Sequence, residues 1–320
     1  MDILLCFSDR YTMPSGVTIC SICVNNIEEL INFHIISDRD FTDENKNKLR
    51  TLVSGYPSKY INFYELNDEL INTTMRFENH WWPKYVFYRL FMEKMLPSNI
   101  SKVLYLDSDI IVRNSLSALW NENISDVAVG CVIDALSGSI EQYNRLGFSS
   151  DYEYFNAGVL LVNLEYWRTH NITDRFVDTL KYKADIIKQQ DQDVLNYVLH
   201  DSKRLLKFTY NFQSGFMYKL SMLGLDYNKY KNEIDAAADD PIVLHLSGMR
   251  PWISGRMKHP YESEFFKYKA LSIWRDDYLW PCNLTIKTRI INFLRPFLSK
   301  FGICHIIQNP FDSKYKLKRI

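Results

Sequence analysis

Residues 102–113 constrain the possible fold more than any other stretch of the chain. Four consecutive apolar residues, 103–106, are followed by two aspartates, Asp107 and Asp109. A short apolar run of this kind predicts a strand buried on both faces of a parallel sheet. In an open α/β sheet, ligands bind in the crevice at the carboxyl ends of the strands. We therefore expect both carboxylates to lie at the ligand-binding edge of an α/β fold.

Two ionised carboxylates at this spacing repel each other, so the pair predicts a bound cation. A hard divalent ion such as Mn²⁺ or Mg²⁺ accepts oxygen ligands from both side chains and binds a further anion, typically a diphosphate. The motif alone leaves two alternatives open. One is a solvated acidic turn, and the other is the first motif of haloacid dehalogenase-type phosphatases, whose first aspartate is a nucleophile. That phosphatase motif normally lies near the start of its domain, whereas here it lies a third of the way along the chain.

The rest of the sequence alternates between predicted strands and helices. Apolar runs at residues 3–7, 32–36 and 60–64 are separated by stretches of helical character. This β-α-β-α-β order predicts an α/β fold with a mostly parallel, doubly wound sheet and helices on both faces. Further strands are predicted at 128–134, 155–164 and 242–248, and helices at 84–95, at 165–182 and from 189 onward.

Composition limits the class of protein and its partners. The hydrophobic fraction of 47% and the charged fraction of 24% are typical of a globular chain with a full core. The formal net charge is zero, so we expect no nucleic-acid partner. Six cysteines in 320 residues do not indicate a disulfide framework. Cys20 and Cys23 lie in an apolar helical run and are predicted to be small core residues.

The two ends of the chain bear on its location. Residues 1–7 include an acid and only a short apolar run, and no eighteen-residue apolar span follows, so we expect a cytoplasmic protein without a membrane-spanning helix. Residues 285–300 place Ile, Phe and Leu between Lys and Arg, which predicts a basic amphipathic helix. That helix can pack on the body or lie on an anionic membrane, and its basic charge favours peripheral contact with the inner face of the membrane.

Polar side chains also stand at the ends of other predicted elements. Arg89 lies in the predicted helix 84–95, where a guanidinium can reach a phosphate. His245 lies in the predicted strand 242–248, and its nitrogen is a candidate third ligand for Mn²⁺ beside the two aspartates. The helix that starts at 189 has amides and acids in its first turn, where they complement the helix dipole or face a pocket.

Five motifs, taken in order, resemble the retaining glycosyltransferase family 8, which contains bacterial lipopolysaccharide galactosyl- and glucosyltransferases and glycogenin. They are Tyr88-Arg89-Leu90, the run from Leu104 to Asp109, Phe155-Asn156-Ala157-Gly158-Val159, the run from Asp191 to Asn196, and His245 with Gly248 and Pro251-Trp252. Together they are far more specific than any single motif, and they favour this family over the phosphatases. The resemblance covers residues 1–255, the predicted catalytic domain, and leaves 256–320 as a predicted helical extension with the basic tail.

The resemblance implies a GT-A type fold and a role for each matching residue. Asp107, Asp109 and His245 would hold Mn²⁺, or Mg²⁺, on the diphosphate of a UDP-sugar. Contacts with that donor are expected from Ser8, Tyr11, Arg89, Asp107, Ser108, Asp109, Asp134, Asn156, Asp191, Gln192, Gly248 and Arg250. Gln192, Asp193 and Asp191 are the expected catalytic side chains. The closing motif, which ends at Trp252, is one residue shorter than is usual in the family and has Arg250 in place of lysine.

The expected activity is Mn²⁺-dependent, retaining transfer of glucose or galactose from UDP-glucose or UDP-galactose to a glycan acceptor. Lipopolysaccharide, capsule or another lipid-linked saccharide is the expected acceptor. One alternative is a non-catalytic UDP-sugar or carbohydrate-binding module on the same fold, and another is a glycogenin-like protein that glucosylates its own tyrosine. The intact set of two aspartates and a histidine favours an enzyme, and the basic tail favours a membrane-bound glycan.

Overall fold

Alternating strands and helices build a layered structure around a central sheet. A computed structural model of the chain describes residues 1–66, 84–135, 139–217, 227–248, 250–254 and 261–281, together with Ile290 and Leu294. The strands are β1 (Asp2–Cys6), β2 (Ile31–Ser37), β3 (Lys59–Glu65), β4 (Lys102–Leu106), β5 (Ile110–Val112), β6 (Val129–Ile133), β7 (Phe155–Asn163), β8 (Lys203–Leu205), β9 (Phe212–Gln213) and β10 (Val243–His245). The α-helices are α1 (Thr12–Asn25), α2 (Asp43–Ser54), α3 (Met92–Met95), α4 (Ser117–Trp120), α5 (Ile140–Leu146), α6 (Leu164–Thr169), α7 (Ile172–Tyr182), α8 (Gln190–Leu199), α9 (Tyr227–Asp239) and α10 (Glu262–Leu271).

The main sheet has seven strands in the order β3-β2-β1-β4-β7-β6-β8. Neighbouring strands from β3 to β4 are parallel, and β7 runs antiparallel to both β4 and β6. The mostly parallel sheet that the sequence predicts is therefore confirmed. A second sheet has the order β5-β10-β9. The predicted strand at 242–248 is shorter, Val243–His245, and belongs to this second sheet rather than the main one.

The main sheet is covered on both faces, as predicted. Ile3 and Leu5 of β1 pack into one core, with α1, α2 and α10, whereas Leu4 and Cys6 pack into the other, with α6, α7 and α8. Because successive side chains of a strand point to opposite faces, a strand buried on both faces must be apolar throughout. The helical Cys20 and Cys23 are both buried and free, in agreement with their predicted role in the core.

Two predicted helices have different boundaries. Residues 84–91 form a 3-10 helix, and only Met92–Met95 continue as α-helix. The aromatic and β-branched residues at 85–88 have weak α-helix propensity, and packing against the sheet decides their conformation. The predicted helix at 165–182 is divided into α6 and α7 by Asn171, which has a φ of 51°. Left-handed backbone of this kind cannot continue a right-handed helix.

Part of the predicted C-terminal extension packs against the same core as α1. Phe265 and Tyr268 of α10 are buried there, and Trp274 follows them. The division of the chain at residue 255 stays a prediction. The predicted basic helix at 285–300 lies outside the described residues apart from Ile290 and Leu294. Within the described part of the chain, every helix is too short or too polar to cross a membrane.

A side chain at Gly16 should destabilise the protein through its contact with Trp274. A Cβ at this position of α1 would lie 2.0 Å from Cζ3 and 2.2 Å from Cη2 of the buried Trp274 ring. We expect Gly16→Ala to lower the free energy of unfolding by about 1–3 kcal/mol, the usual cost of overpacking, as measured by urea denaturation. In a Trp274→Leu background the same change should cost much less, because the obstructing ring is gone. An equal cost in both backgrounds would show that Trp274 is not the cause.

Candidate active site

The loop after β4 is held by two backbone contacts that bring distant parts of the chain together. The amide nitrogen of Asp107 donates to the carbonyl oxygen of Gly158 in β7, over 2.9 Å. The carbonyl oxygen of Asp109 accepts from the amide nitrogen of Leu246, also over 2.9 Å. Antiparallel pairing of β5 with β10 then places Ile110 opposite His245. The aspartate loop is thereby fixed between the main sheet and the second sheet.

Asp107, Asp109 and His245 converge as predicted and form what we call the metal triad. Each contributes one potential ligand atom, and these atoms all lie within 4.8 Å of one another. His245 Nε2 is 3.3 Å from Asp109 Oδ1 and 4.0 Å from Asp107 Oδ2. Two carboxylates and one imidazole suit Mn²⁺ or Mg²⁺ better than a soft metal, so the side chains fit the predicted cation.

Electrostatics at the metal triad point the same way. Burial opposes protonation of His245, but the adjacent Asp109 and Asp107 carboxylates outweigh it and raise the pKa of the imidazole. For Asp109, burial acts to raise the pKa, and the contact with His245 lowers it overall. The two acids therefore favour positive charge at this point of the structure, which a bound cation would supply.

Contact with His245 explains why the motif from Phe155 to Val159 has a glycine at position 158. A Cβ at this position would lie 2.3 Å from His245 Cε1 and 2.8 Å from His245 Nδ1. The imidazole thus packs directly on the backbone of β7. A larger residue would push the ring away from the two aspartates.

Arg89 is buried between two acids rather than exposed to solvent. Its guanidinium lies 2.9 Å from Asp107 and 3.0 Å from Asp191, donates to the carbonyl oxygen of Ala157 over 2.8 Å, and stacks on the ring of Tyr105. Arg89 therefore holds Asp107 in place. Burial and the neighbouring Asp107 charge raise the pKa of Asp191 to about 6 in spite of the guanidinium.

Asp134, Asn156 and Gln192 form a hydrogen-bonded group, which we call the amide cluster. Asn156 Nδ2 and Gln192 Nε2 both donate to Asp134 Oδ2, over 2.8 Å and 3.1 Å. Gln192 Oε1 accepts from the amide nitrogen of Ala157 over 3.0 Å. The end of β6, the start of β7 and the first turn of α8 are joined through these contacts.

Two adjoining cavities open beside these groups. The first, of about 230 Å³, is lined by Cys6, Phe7, Tyr11, Tyr85, Val86, Arg89, Asp107, Ser108, Asp109, Gln190, Arg250 and Trp252. The second, of about 310 Å³, is lined by Val86, Arg89, Asp107, Ala157, Gln189, Gln190, Asp191 and Gln192. Val86, Arg89, Asp107 and Gln190 belong to both cavities. Asp107 of the metal triad therefore lies where the two cavities meet.

Most of the predicted donor contacts face these cavities. The first contains Tyr11, Arg89, Asp107, Ser108, Asp109 and Arg250, and the second contains Asp191 and Gln192. Asp134 and Asn156 are not among the lining residues of either cavity in the described part of the chain, but both are hydrogen-bonded to Gln192, which lines the second. Ser8 and Gly248 are not among the lining residues of either cavity in the described part of the chain.

Asp193 has a different environment from its neighbours in the motif. Its side chain is fully buried, and its carboxylate accepts from Arg145, from the hydroxyl of Tyr154 and from the amide nitrogens of Lys188 and Gln189. These four donors connect the loop before α8 to α5 and to Tyr154, the residue that precedes β7. This geometry favours a structural role over the catalytic role predicted from the sequence.

Two residues at the site, Gln190 and Asn211, are not distinguished by the sequence. Gln190 lines both cavities with a φ of 54°, a strained backbone for a residue other than glycine. Its position directly before the Asp191 motif is the signal that would identify it. Asn211 is fully buried and contacts both His245 and Asn156. No local pattern in the sequence distinguishes it from an ordinary turn residue.

A solved structure shares this architecture. The galactosyltransferase LgtC superimposes with a TM-score of 0.74 at 24% identity, over 85% of this chain and 96% of LgtC. The fold is thus a glycosyltransferase fold of the GT-A type, as predicted.

The family follows from the sequence comparison. Glycosyl transferase family 8 matches residues 2–255, and the chain belongs to this family. General stress protein A of Bacillus subtilis (strain 168) is 28% identical over 285 residues, which is 86% of this chain and 94% of that protein. Lipopolysaccharide 1,2-glucosyltransferase of Escherichia coli is 29% identical over 253 residues, 76% of this chain and 70% of the enzyme. The predicted family is therefore confirmed, and the protein is a glycosyltransferase.

Proposed function

We propose that the chain is a retaining hexosyltransferase that moves glucose or galactose from a UDP-sugar to a glycan acceptor, with Mn²⁺ or Mg²⁺ bound by the metal triad. The observation that carries this proposal is the convergence of Asp107, Asp109 and His245, of which Asp107 lines both cavities and Asp109 lines the first. The lipopolysaccharide glucosyltransferase among the relatives supports a hexose as the transferred sugar.

The two cavities suit the two halves of a nucleotide-sugar. Tyr11 offers an aromatic ring in the first cavity, and the Arg250 guanidinium lies 5.9 Å from the centre of that ring. An aromatic face and a cation are the groups that bind a nucleobase and a diphosphate. Asp191 and Gln192 in the second cavity offer polar groups to sugar hydroxyls. We therefore assign the first cavity to UDP and the second to the hexose.

The chemistry needs stabilisation of the diphosphate as the anomeric bond breaks. A cation bound to the metal triad would act as a Lewis acid and offset this developing charge. Arg250, which lines the first cavity, would add a second positive charge. Arg89 acts indirectly, because its guanidinium pairs with Asp107 and Asp191 and holds both carboxylates in place.

Retention of configuration needs either a covalent nucleophile or attack on the same face, guided by the departing phosphate. Asp191 and Gln192 face the second cavity, so we assign them to positioning of the donor sugar. Asp193 is enclosed by four hydrogen-bond donors, and we leave it out of the catalytic groups. These assignments favour same-face attack over a covalent intermediate.

A lipid-linked saccharide such as lipopolysaccharide or capsule precursor is the acceptor that we favour. The basic residues at 285–300 would hold the enzyme at the anionic inner face of the membrane, next to such an acceptor. Ile290 and Leu294 are both helical and are 53% and 42% exposed. At a spacing of four they would lie on one side of the predicted helix, as contact with a membrane surface requires.

Release of UDP from purified protein tests this proposal and its metal requirement. UDP-glucose and UDP-galactose are supplied separately with Mn²⁺, with Mg²⁺ or with EDTA, in the absence and presence of a lipopolysaccharide core acceptor. We expect slow release from one donor with Mn²⁺, faster release with the acceptor, loss of both in EDTA and recovery with excess Mn²⁺. Turnover that persists in EDTA would contradict the metal assignment.

The same experiment separates the alternatives. If UDP binds with Mn²⁺ but neither donor turns over with any acceptor, the protein is better described as a binding module. Transfer of the sugar to the chain itself would favour a glycogenin-like reaction. Retention is checked by the anomeric configuration of the linkage in the product.

A further inference from the structure

Asn211 lies behind the metal triad and outside both cavities, among the residues that the structure describes. It immediately precedes β9 (Phe212–Gln213), the strand that pairs with β10, and its side chain is fully buried. Asn211 Oδ1 is 3.1 Å from His245 Nδ1, and Asn211 Nδ2 is 2.9 Å from Asn156 Oδ1. One amide thus links the imidazole of the metal triad to the amide cluster.

The orientation of Asn156 is determined by its two other partners. The amide nitrogen of Gly158, which can only donate, lies 2.9 Å from Asn156 Oδ1. Asp134 Oδ2 lies 2.8 Å from Asn156 Nδ2, and a carboxylate oxygen accepts. A reversed Asn156 would place two donors together at Gly158 and two acceptors together at Asp134. Its oxygen must therefore face Asn211.

The orientation of Asn211 follows from that of Asn156. Only the amide nitrogen of Asn211 can donate to Asn156 Oδ1, so the amide oxygen of Asn211 must face His245. An amide oxygen can only accept, and His245 Nδ1 must then carry a proton. Nε2 is the remaining imidazole nitrogen, and it faces Asp109 at 3.3 Å. The chain of hydrogen bonds thus leaves Nε2 as the nitrogen that can bind a cation.

We propose that Asn211 is a positioning residue that fixes His245 in its Nδ1–H tautomer and couples this ligand to Asn156 and Asp134 beside the sugar-binding cavity. This inference rests on the proposed function, because it assumes a cation at the metal triad. Gly158 also contributes, because its backbone packs against Cε1 and Nδ1 of the imidazole, where a Cβ would not fit. The metal ligand His245 and the groups beside the sugar-binding cavity are therefore joined by one chain of hydrogen bonds, in which each donor and acceptor is fixed.

Two substitutions at Asn211 distinguish an effect of the His245 tautomer on Mn²⁺ binding from an effect of side-chain packing. Asn211→Leu has nearly the same shape but cannot accept from His245 Nδ1, whereas Asn211→Asp keeps an accepting oxygen at that point and, protonated in this buried position, still donates to Asn156 Oδ1 through its second oxygen. We expect Asn211→Leu to weaken Mn²⁺ binding about 10–100-fold, the usual effect of removing a partner behind a metal ligand, and Asn211→Asp to bind within about threefold of wild type. Free Mn²⁺ is measured by electron paramagnetic resonance in the absence of any donor sugar.

Asn26→Leu is the matched control. Asn26 is also a buried asparagine, but it accepts from the amide nitrogen of Leu116 and donates to the carbonyl oxygen of Ile22, away from both cavities. It should lower the unfolding temperature without changing Mn²⁺ affinity. If folded Asn211→Leu binds Mn²⁺ as wild type does, or if Asn211→Asp loses as much affinity as Asn211→Leu, the proposal is wrong.

A measurement on the unmodified protein covers the case in which Asn211→Leu does not fold. Nitrogen-15 spectra of the histidine side chains, recorded without metal at mildly alkaline pH, report which ring nitrogen is protonated. The chain has seven histidines, and His245 is assigned by the signal that disappears in His245→Gln. We expect the Nδ1–H tautomer, and an Nε2–H tautomer would overturn the proposal.

The outcome also distinguishes this inference from the proposed function. If the wild-type chain binds neither Mn²⁺ nor Mg²⁺, the metal triad itself is misassigned, and the role of Asn211 toward it is overturned at the same time. If wild type binds Mn²⁺ and Asn211→Leu does so equally well, only the role of Asn211 is wrong.

Discussion

Replacement of Asp109 by asparagine should lower the rate of UDP release by about three orders of magnitude, equivalent to roughly 4 kcal/mol of transition-state stabilisation. Asp107 already shares its charge with Arg89 at 2.9 Å and accepts from the hydroxyl of Tyr105 at 2.6 Å. Asp109 has no arginine within ion-pair distance in the described structure, and its contact is with His245. Its charge is therefore the one most available to a cation. Asparagine preserves the size of the side chain and the backbone contact with Leu246.

The measurement is kcat/KM for UDP release with saturating Mn²⁺, with circular dichroism to establish that the variant is folded. Asp126→Asn is the matched control, because Asp126 pairs with Arg204 at the surface, with its side chain 65% exposed. An exposed pair contributes little, and we expect the control to keep the wild-type rate within about twofold. Retention of more than about a tenth of the wild-type rate by Asp109→Asn would contradict its role as a metal ligand.

Replacement of Arg89 by methionine should lower the free energy of unfolding by about 3–5 kcal/mol near pH 8, the usual effect of removing one partner of a buried ion pair. Methionine fills part of the arginine volume but leaves Asp107 and Asp191 without their shared cation and the carbonyl oxygen of Ala157 without its donor. UDP release should also fall sharply, because Asp107 and Asp191 then lose the group that holds them in place. Urea denaturation and the UDP assay measure the two effects.

The loss of stability should become smaller as the pH falls. The pKa of Asp191 in the folded protein is already raised to about 6, above its ordinary value of 3.8, and removal of Arg89 raises it further. At a pH between 3.8 and its pKa in the folded protein, Asp191 binds more protons in the folded state than in the unfolded state, so the free energy of unfolding rises as the pH decreases. Because this pKa is higher in the variant than in wild type, the variant gains more stability on acidification. Comparison near pH 8 and near pH 5 tests this trend.

Arg204→Met serves as the control for Arg89→Met. Arg204 forms an exposed pair with Asp126, so its replacement should cost about 0–1 kcal/mol, with little dependence on pH. If Arg89→Met costs as little as this control, the buried guanidinium is not the group that compensates the two acids. An equal loss near pH 8 and near pH 5 would show that Asp191 is not the titrating partner.

The sequence predicts those features of the site that depend on local pattern. The buried strand before Asp107 and the polar first turn of α8 both follow from runs of a few residues. His245 is a candidate ligand because it lies in a predicted strand and the two aspartates lack a third ligand, and resemblance to a family supports this assignment. Arg89 is predicted in an α-helix, whereas the structure has a 3-10 helix there, because packing of the aromatic residues at 85–88 outweighs their local preference.

The electrostatic roles within the site depend on contacts between distant segments. Asp191 and Asp193 are two residues apart in one motif, yet the first faces a cavity and the second is enclosed by Arg145, Tyr154 and a loop. A helix turns by about 100° per residue, so neighbouring side chains in its first turn point to different surroundings. The spacing of Asp191 and Asp193 indicates that their side chains have different surroundings, but it does not indicate which of the two is enclosed.

By itself, the sequence determined the class of fold and the two aspartates at the edge of the sheet, because burial on both faces requires a continuous apolar strand and its end must be polar. Only the tertiary structure decided that Ile110 pairs with His245, that Arg89 lies between two acids and that Asn211 contacts the imidazole. These contacts are set by the register of strands and helices that are far apart in the chain. Local periodicity carries the direction of each side chain but not the identity of its partner.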